Sequence, residues 1–193
     1  MAIAKKKKKF WDVDMPLLKK KTQLYSFSEE ELDGRRIIYD LTRILRGKNA
    51  LLNLKVINTK EGLTSLPKEL TLLPNFLKRM VRKGTDYVED SFKVESKDAL
   101  IEIKPILVTR RRVSRAVKNA LRVKTKEEIE KYARSKTSER IFDDILKNAI
   151  QKTLSMTLKK IYPLSLCEIR SIKILKVIEY TKKDSEEKEE QKE

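Results

Sequence analysis

Histidine is absent from the 193 residues, and cysteine occurs once. The first absence removes the Ser-His-Asp triad, the Cys-His dyad and every His-ligated metal centre. The second leaves Cys167 unable to form an internal disulfide or a thiolate zinc site. The four glycines, at 34, 47, 62 and 84, stand singly, so no glycine-rich phosphate cradle can be written. Aromatic residues are 6% of the chain and do not interleave with basic ones as in a sheet that binds single strands. No apolar run of about 18 residues is present to span a bilayer. Met1 to Phe10 sets five lysines before short apolar stretches, which is not the pattern of a signal peptide. A membrane is therefore not an expected partner, and no cofactor or metal is implied. One free cysteine is compatible with a reducing cytoplasm.

What the chain has is positive charge: 46 Lys and Arg against 29 Asp and Glu, a net of +17. Such a surplus is an argument about partners, of which nucleic acid and acidic protein are the usual ones. It is unevenly placed. Residues 1–126 carry 31 basic and 15 acidic residues, a net of +16, whereas residues 127–193 carry 15 and 14. That asymmetry points to a binding surface in the first two thirds of the chain.

Hydrophobic periodicity places the elements. Arg36–Leu41 and Ala50–Ile57 read as strands, the second with Leu52, Leu54 and Val56 at period two. Asn58 to Gly62 supplies a turn before a strand at Leu63–Leu72, in which Pro67 marks an edge or a bulge. Phe92–Glu95 and Ala99–Val108 read as a hairpin around Ser96-Lys97-Asp98, with a bend or edge at Pro105. Helical period appears at 74–83, opened by Pro74, and along Val113, Val117, Ala120 and Leu121. Thr125 and Glu128 have capping-box spacing and predict a new helix start, and Ser138 is expected to cap the longest helix, which runs to Pro163. Leu164–Ile178 returns to strand, with Cys167 and Ile169 between Glu168 and Arg170, and Cys167 reads as a small core residue. The order predicts an α+β fold: a curved sheet or β-barrel with a short basic helix and a C-terminal helical region, the last strand returning to the sheet. Residues 1–20 read as a basic arm, 21–180 as a single domain and 181–193 as a disordered charged tail.

The strongest cluster begins at Arg110-Arg111-Arg112 and continues through Arg115, Lys118, Arg122, Lys124 and Lys126: eight basic residues from 110 to 126 and no acid. A solvated helix face ordinarily carries both signs. Like charges at this density repel unless an anion neutralises them, and arginine suits bidentate phosphate contact. The predicted helix at 74–83 repeats the arrangement, with Lys78, Arg79, Arg82 and Lys83 opposite Phe76, Leu77, Met80 and Val81. Arg43, Arg46 and Lys48 surround Gly47 and offer loop contacts; Lys5, Lys6, Lys7, Lys8 and Lys9 form a tail expected to order on RNA. Phe10, Trp11 and Tyr87 stand beside basic segments, where stacking on a base competes with ordinary packing. An alternative of another kind is a Mg²⁺-dependent nuclease, since Asp90 followed by Glu102-Ile103-Lys104 has the outline of an Asp and a Glu-x-Lys on neighbouring strands. A free RNA-binding regulator is a third reading.

Several of these segments resemble one family. Phe10-Trp11-Asp12-Val13, Asp40-Leu41-Thr42-Arg43, Arg46-Gly47-Lys48, Arg82-Lys83-Gly84-Thr85, Tyr87 to Ser91, Thr109 to Val117 and Lys159 to Leu164 follow, in order, the small-ribosomal-subunit protein S-one family of archaeal and eukaryotic type, also called the S-three-A-e type. Val81 and Asp86 depart from the Met and Ser more usual there. The resemblance implies a non-enzymatic constituent of the small subunit, cytoplasmic in the ribosome. It would bind small-subunit rRNA on the platform near the mRNA exit, beside other small-subunit proteins and possibly mRNA. The short ends resemble archaeal members.

Overall fold

The computed structural model describes residues 7–45, 47–59 and 62–177. The chain is α+β and forms two compact units, Met1–Leu77 and Lys78–Glu193. The first is a sheet of five strands. β1 (Lys9–Met15) and β2 (Lys20–Ser26) form an antiparallel hairpin out of residues that composition assigns largely to a basic arm. Its turn is a short 3-10 segment at Pro16–Leu18, closed by Lys19 in the left-handed region at φ 52°. Strands β3 (Arg36–Asp40), β4 (Ala50–Thr59) and β5 (Gly62–Leu72) follow as an antiparallel meander, and β5 runs parallel to β1 where Asp14 meets Thr64. Alternation drives β4 inward on one face: Ala50, Leu52, Leu54 and Val56 are all buried. The register shifts where Asn53 and Leu54 face Glu69 and Pro67, so Pro67 lies at a bulge between two neighbours and not on an edge strand.

Helix α1 (Pro74–Met80) is shorter than its sequence pattern. Arg82 and Lys83 fall instead in a turn closed by Thr85, whose hydroxyl lies 2.7 Å from the Arg82 carbonyl, with Gly84 at φ 85°. The second unit then builds β6 (Tyr87–Glu89), β7 (Phe92–Glu95) and β8 (Ala99–Thr109), with β6 and β7 both antiparallel to β8. Pro105 sits where β7 ends its pairing at Ile103 and β6 begins at Ile106, a position where a missing N–H costs no ladder bond to either strand.

Helices α2 (Arg115–Arg134), α3 (Ser138–Leu146) and α4 (Ala149–Leu158) come next, and β9 (Leu164–Val177) returns antiparallel to β8. The sheets are therefore open and curved by bulges, not closed into a barrel. β8 is buried on both faces from Pro105 to Thr109, which explains the continuous apolar run Ile106–Val108. Leu121, Ile129, Ile141, Phe142, Ile145, Ile150, Leu154 and Leu158 supply the helical side of the core. Removing a ring as enclosed as Phe142 costs about 3–5 kcal/mol. Cys167 is buried there as expected, and burial pushes its thiol up to about 12. Glu168 beside it is also buried, within hydrogen-bond reach of Gln151 at 3.5 Å.

Two helix boundaries differ from the pattern. Thr125 starts nothing: it is buried in the middle of α2 and returns its hydroxyl to the Leu121 carbonyl at 2.6 Å, one turn back. The longest helix is α2, and the predicted 138–163 helix is broken at Asn148, which adopts φ 58° between α3 and α4. Asparagine tolerates that conformation better than other non-glycine residues.

Ser138 is the first residue of α3, and the cap comes from 40 residues away. Asp98, in the β7–β8 turn, accepts from the Ser138 N–H at 2.7 Å, the Ser138 hydroxyl at 2.5 Å and the Ser96 hydroxyl at 2.7 Å. Burial raises the Asp98 carboxyl, but the hydrogen bonds from Ser138 and Ser96 outweigh it and hold it below the ordinary carboxylate range. A depressed folded value gives stability that is complete above the unfolded value of about 3.9 and lost as pH falls through the lower folded one. Chemical denaturation at successive pH values should therefore show wild-type stability converging on that of Asp98→Asn below about pH 4. A gap between the two that stayed constant to the acid end would contradict this cap.

Candidate nucleic-acid interface

The segment after β8 carries the densest positive charge, and its shape is set by two residues that are not basic. Thr109 is fully buried at the end of β8. Its hydroxyl accepts from the Asp86 N–H at 3.1 Å and lies 2.9 Å from the Asp86 carbonyl and 2.7 Å from that of Arg111, either of which takes its single proton. The Thr109 N–H donates to the Asp86 carbonyl at 2.8 Å. Asp86 answers with its side chain, which accepts from the Val113 N–H and pairs with Lys118, both at 3.0 Å. The Val113 N–H, followed by Lys118, holds the Asp86 carboxyl below the usual range despite partial desolvation. In this way the turn bearing Arg82 and Lys83 is tied to the bend bearing Arg110, Arg111 and Arg112.

α2 begins after two further residues, Val113 and Ser114. Ser114 caps it, its hydroxyl accepting from the Val117 N–H at 3.5 Å, and Arg115 is the first helical residue. No acid stands in the first turn of α2. Cations at a helix N-terminus oppose the positive end of the helix dipole, an arrangement that an external anion relieves.

The eight cations from 110 to 126 divide into two groups. Lys118 pairs with Asp86, and Arg122 with Asp90 at 3.7 Å, while also donating to the Glu89 carbonyl at 3.3 Å. Lys124 meets Glu127 and Glu128 at 3.1 and 3.4 Å, and Lys126 meets Glu130 at 3.9 Å. These contacts bind α2 to the 86–90 segment and to its own next turn. Arg110, Arg111, Arg112 and Arg115 are exposed and form no ion pair among the described residues. Among the described residues, the charge of this cluster left without an ion pair is therefore arginine at the bend, where Arg112 lies near enough to Asp86 to help hold that carboxyl low.

Lys78 and Arg79 are exposed on α1, and Arg82 and Lys83 are exposed in the turn that follows, so the four do not share one helical face. In the other unit, Arg43 is exposed in the β3–β4 connection, where it reinforces an Asp40 carboxylate held low chiefly by the Thr42 hydroxyl and N–H. Lys48 is half-buried in the same connection. Lys7, Lys8 and Lys9 are exposed at the start of β1; Lys5, Lys6 and Arg46 lie outside the described residues.

The nuclease outline is geometrically occupied by cations. Glu102 accepts from Ser91 at 3.1 Å and pairs with Lys104 at 3.3 Å, while Asp90 faces Arg122. No group of three or more acidic or sulfur ligands able to hold a metal occurs among the described residues. Sequence reasoning missed the anchors Asp86, Thr109 and Asp98. The departure from family pattern at Asp86 was the one available signal.

A bend of unneutralised arginines fixed on an α+β frame is the make-up of an anion-binding scaffold. The chain belongs to the ribosomal S3Ae family, whose model matches residues 4–177. It is 32% identical over 142 residues to the small ribosomal subunit protein eS1 of Pyrobaculum aerophilum, a match covering 72% of this chain and 64% of the relative. The proteins of the same name from Saccharolobus islandicus strain L.S.2.15 and Nanoarchaeum equitans are 30% and 27% identical over 155 and 144 residues. Those matches cover 76% and 72% of this chain, and 73% and 72% of the relatives. The chain spans slightly less than two thirds of the length of the Pyrobaculum relatives.

If Thr109 holds the two turns together, Thr109→Val should cost about 1–3 kcal/mol in denaturant unfolding, because an isosteric methyl leaves the part-buried Asp86 N–H without its acceptor. Asp86→Ala should separately speed hydrogen exchange at the Val113 amide, measured by NMR, while leaving amides in β8 protected. Unchanged exchange at Val113 would remove Asp86 from its assigned role.

Proposed function

We propose that this chain is a structural constituent of the small ribosomal subunit in the cytoplasm and binds rRNA through phosphate contacts at the arginine bend. The observation that carries the reading is the division of cations: Lys118, Arg122, Lys124 and Lys126 are neutralised within the chain, whereas Arg110, Arg111, Arg112 and Arg115 are not. Family membership supplies the setting. The relatives bear the name of a small-subunit protein, and the same assembly is the economical home for this one. The location follows the family resemblance: the platform near the mRNA exit, among other small-subunit proteins and within reach of mRNA.

The mechanism is charge neutralisation with shape fit. Planar guanidinium groups at 110, 111, 112 and 115 present paired N–H donors to phosphate oxygens, and the open N-terminal turn of α2 adds to the field. Lys78, Arg79, Arg82 and Lys83 extend the same surface along the preceding turn, with Lys118 and Arg122 acting first as struts. Arg43, Arg46, Lys48 and Lys5 to Lys9 offer further contacts from the other unit. Phosphate contacts position a protein without reading sequence, so recognition of a particular RNA region depends on shape.

Replacing Arg110, Arg111 and Arg112 together by Glu should abolish co-sedimentation with the small subunit in sucrose gradients. On small-subunit RNA the loss of three contacts should flatten the log–log salt slope by about 2 to 3. Lys118→Ala should instead lower stability more than it lowers the slope. Full incorporation of the triple-Glu chain would refute the assignment, and wild-type protein remaining outside the subunit fraction would favour a free regulator.

A further inference from the structure

The β1–β2 hairpin exposes three aromatic rings at its open end. Phe10 is 69% exposed, Tyr25 51% and Phe27 43%. Phe10 and Tyr25 are register partners on the two strands, with ring centroids 4.9 Å apart and planes tilted by 41°. The ammonium of Lys8 lies 5.6 Å from the Tyr25 ring centre and 5.1 Å from that of Phe27. The strand alternation that buries Val13 and Met15 on one face is what turns Phe10 outward on the other. Three neighbouring rings on a two-stranded hairpin form an exposed patch, which marks a contact surface more than chance exposure does.

Charge chooses the occupant. Lys8 lies over two of the rings and its chain neighbours Lys7 and Lys9 are exposed, whereas lysine is depleted from the cores of protein–protein contacts. The nearby acid, Glu31, is already engaged, its carboxylate accepting from the Ser26 hydroxyl at 2.6 Å and the Phe27 N–H at 3.3 Å. Rings with adjacent cations are the combination that holds single-stranded nucleic acid, in which unpaired bases stack and the backbone follows positive charge. Further along the same face Asp12 is exposed and Asp14 pairs with Lys21 at 3.3 Å, so a strand would cross the open end and not run down the hairpin.

We infer that Phe10, Tyr25 and Phe27, with Lys8 beside them, form a site that stacks two or three unpaired bases of single-stranded RNA. This site is separate from the arginine bend and rests on the reading of the chain as an RNA binder. It also places single-strand contact where composition alone showed no aromatic and basic interleaving.

Fluorescence anisotropy on the full chain tests it with two probes: an eight-nucleotide oligouridine and the same sugar–phosphate strand lacking bases. Both carry the charge that the arginine bend recognises, and only the first can stack. The oligouridine should bind at least roughly tenfold tighter than the abasic strand. Combined Phe10→Leu, Tyr25→Leu and Phe27→Leu should bring the ratio to about one with the abasic affinity unchanged. Combined Phe10→Tyr, Tyr25→Phe and Phe27→Tyr should restore it. Glu at 110, 111 and 112 should weaken both probes and preserve the ratio. A wild-type ratio near one, or a ratio that survives the triple-Leu change, overturns the stacking site while leaving the arginine bend standing. Should the triple-Leu chain keep the ratio but fail to enter the small subunit, the patch is a protein contact and the inference is wrong. If neither probe binds in low salt, the RNA reading itself falls with it.

Discussion

Thr109 and Asp86 exchange hydrogen bonds across two backbone segments, and the cationic surface depends on that exchange. The buried hydroxyl at the end of β8 accepts from the Asp86 N–H and gives its single proton to the backbone carbonyl of Asp86 or Arg111. Asp86 then fixes Val113 and Lys118, so one carboxylate determines both the path into α2 and the partner of its first lysine. Without such ties, consecutive arginines would spread apart to minimise repulsion. Holding them at a bend preorganises charge, and an anion then meets donors already in place.

The same logic separates structural from surplus charge. Salt bridges at partly exposed sites are individually worth little, so those of α2 matter more for what they orient than for the energy they add. Asp86, Asp90, Glu127, Glu128 and Glu130 absorb Lys118, Arg122, Lys124 and Lys126. Of the eight cations in the cluster, the four without an ion pair among the described residues are therefore gathered near residue 110, in the side chain best shaped for phosphate.

Much of this architecture was legible beforehand where a single physical rule governed the segment. Period two gave β4, β5 and the β7–β8 hairpin, and Pro105 was correctly a special position in β8 because a missing N–H must be accommodated. The errors share a cause: each involves a polar residue whose partner is not local. Thr125 has the spacing of a capping box but bonds back to Leu121 inside α2. Ser138 has the composition of a cap but is itself held by Asp98. Asn148 breaks a continuous apolar stripe by adopting a backbone conformation that periodicity does not encode. The arginine cluster was found as a set, but which members pair internally depends on Asp86 and Asp90, brought alongside α2 by β6 and its flanking turns.

The β1–β2 hairpin shows why composition underestimates a surface. Aromatics are few in this chain, and in sequence Phe10, Tyr25 and Phe27 are separated by a turn and two half-strands. Antiparallel register brings Phe10 opposite Tyr25, and Lys8, one of the lysines that make the N-terminal segment read as a basic arm, flanks the Tyr25 and Phe27 rings. An arginine bend attracts any phosphate backbone and cannot tell a helix from a loop by its contacts alone. Exposed rings respond only to bases that are not already stacked. On the proposed reading, a chain carrying both surfaces would gain discrimination from their difference: the first would set how strongly RNA is held, and the second which parts of a folded RNA lie against the hairpin.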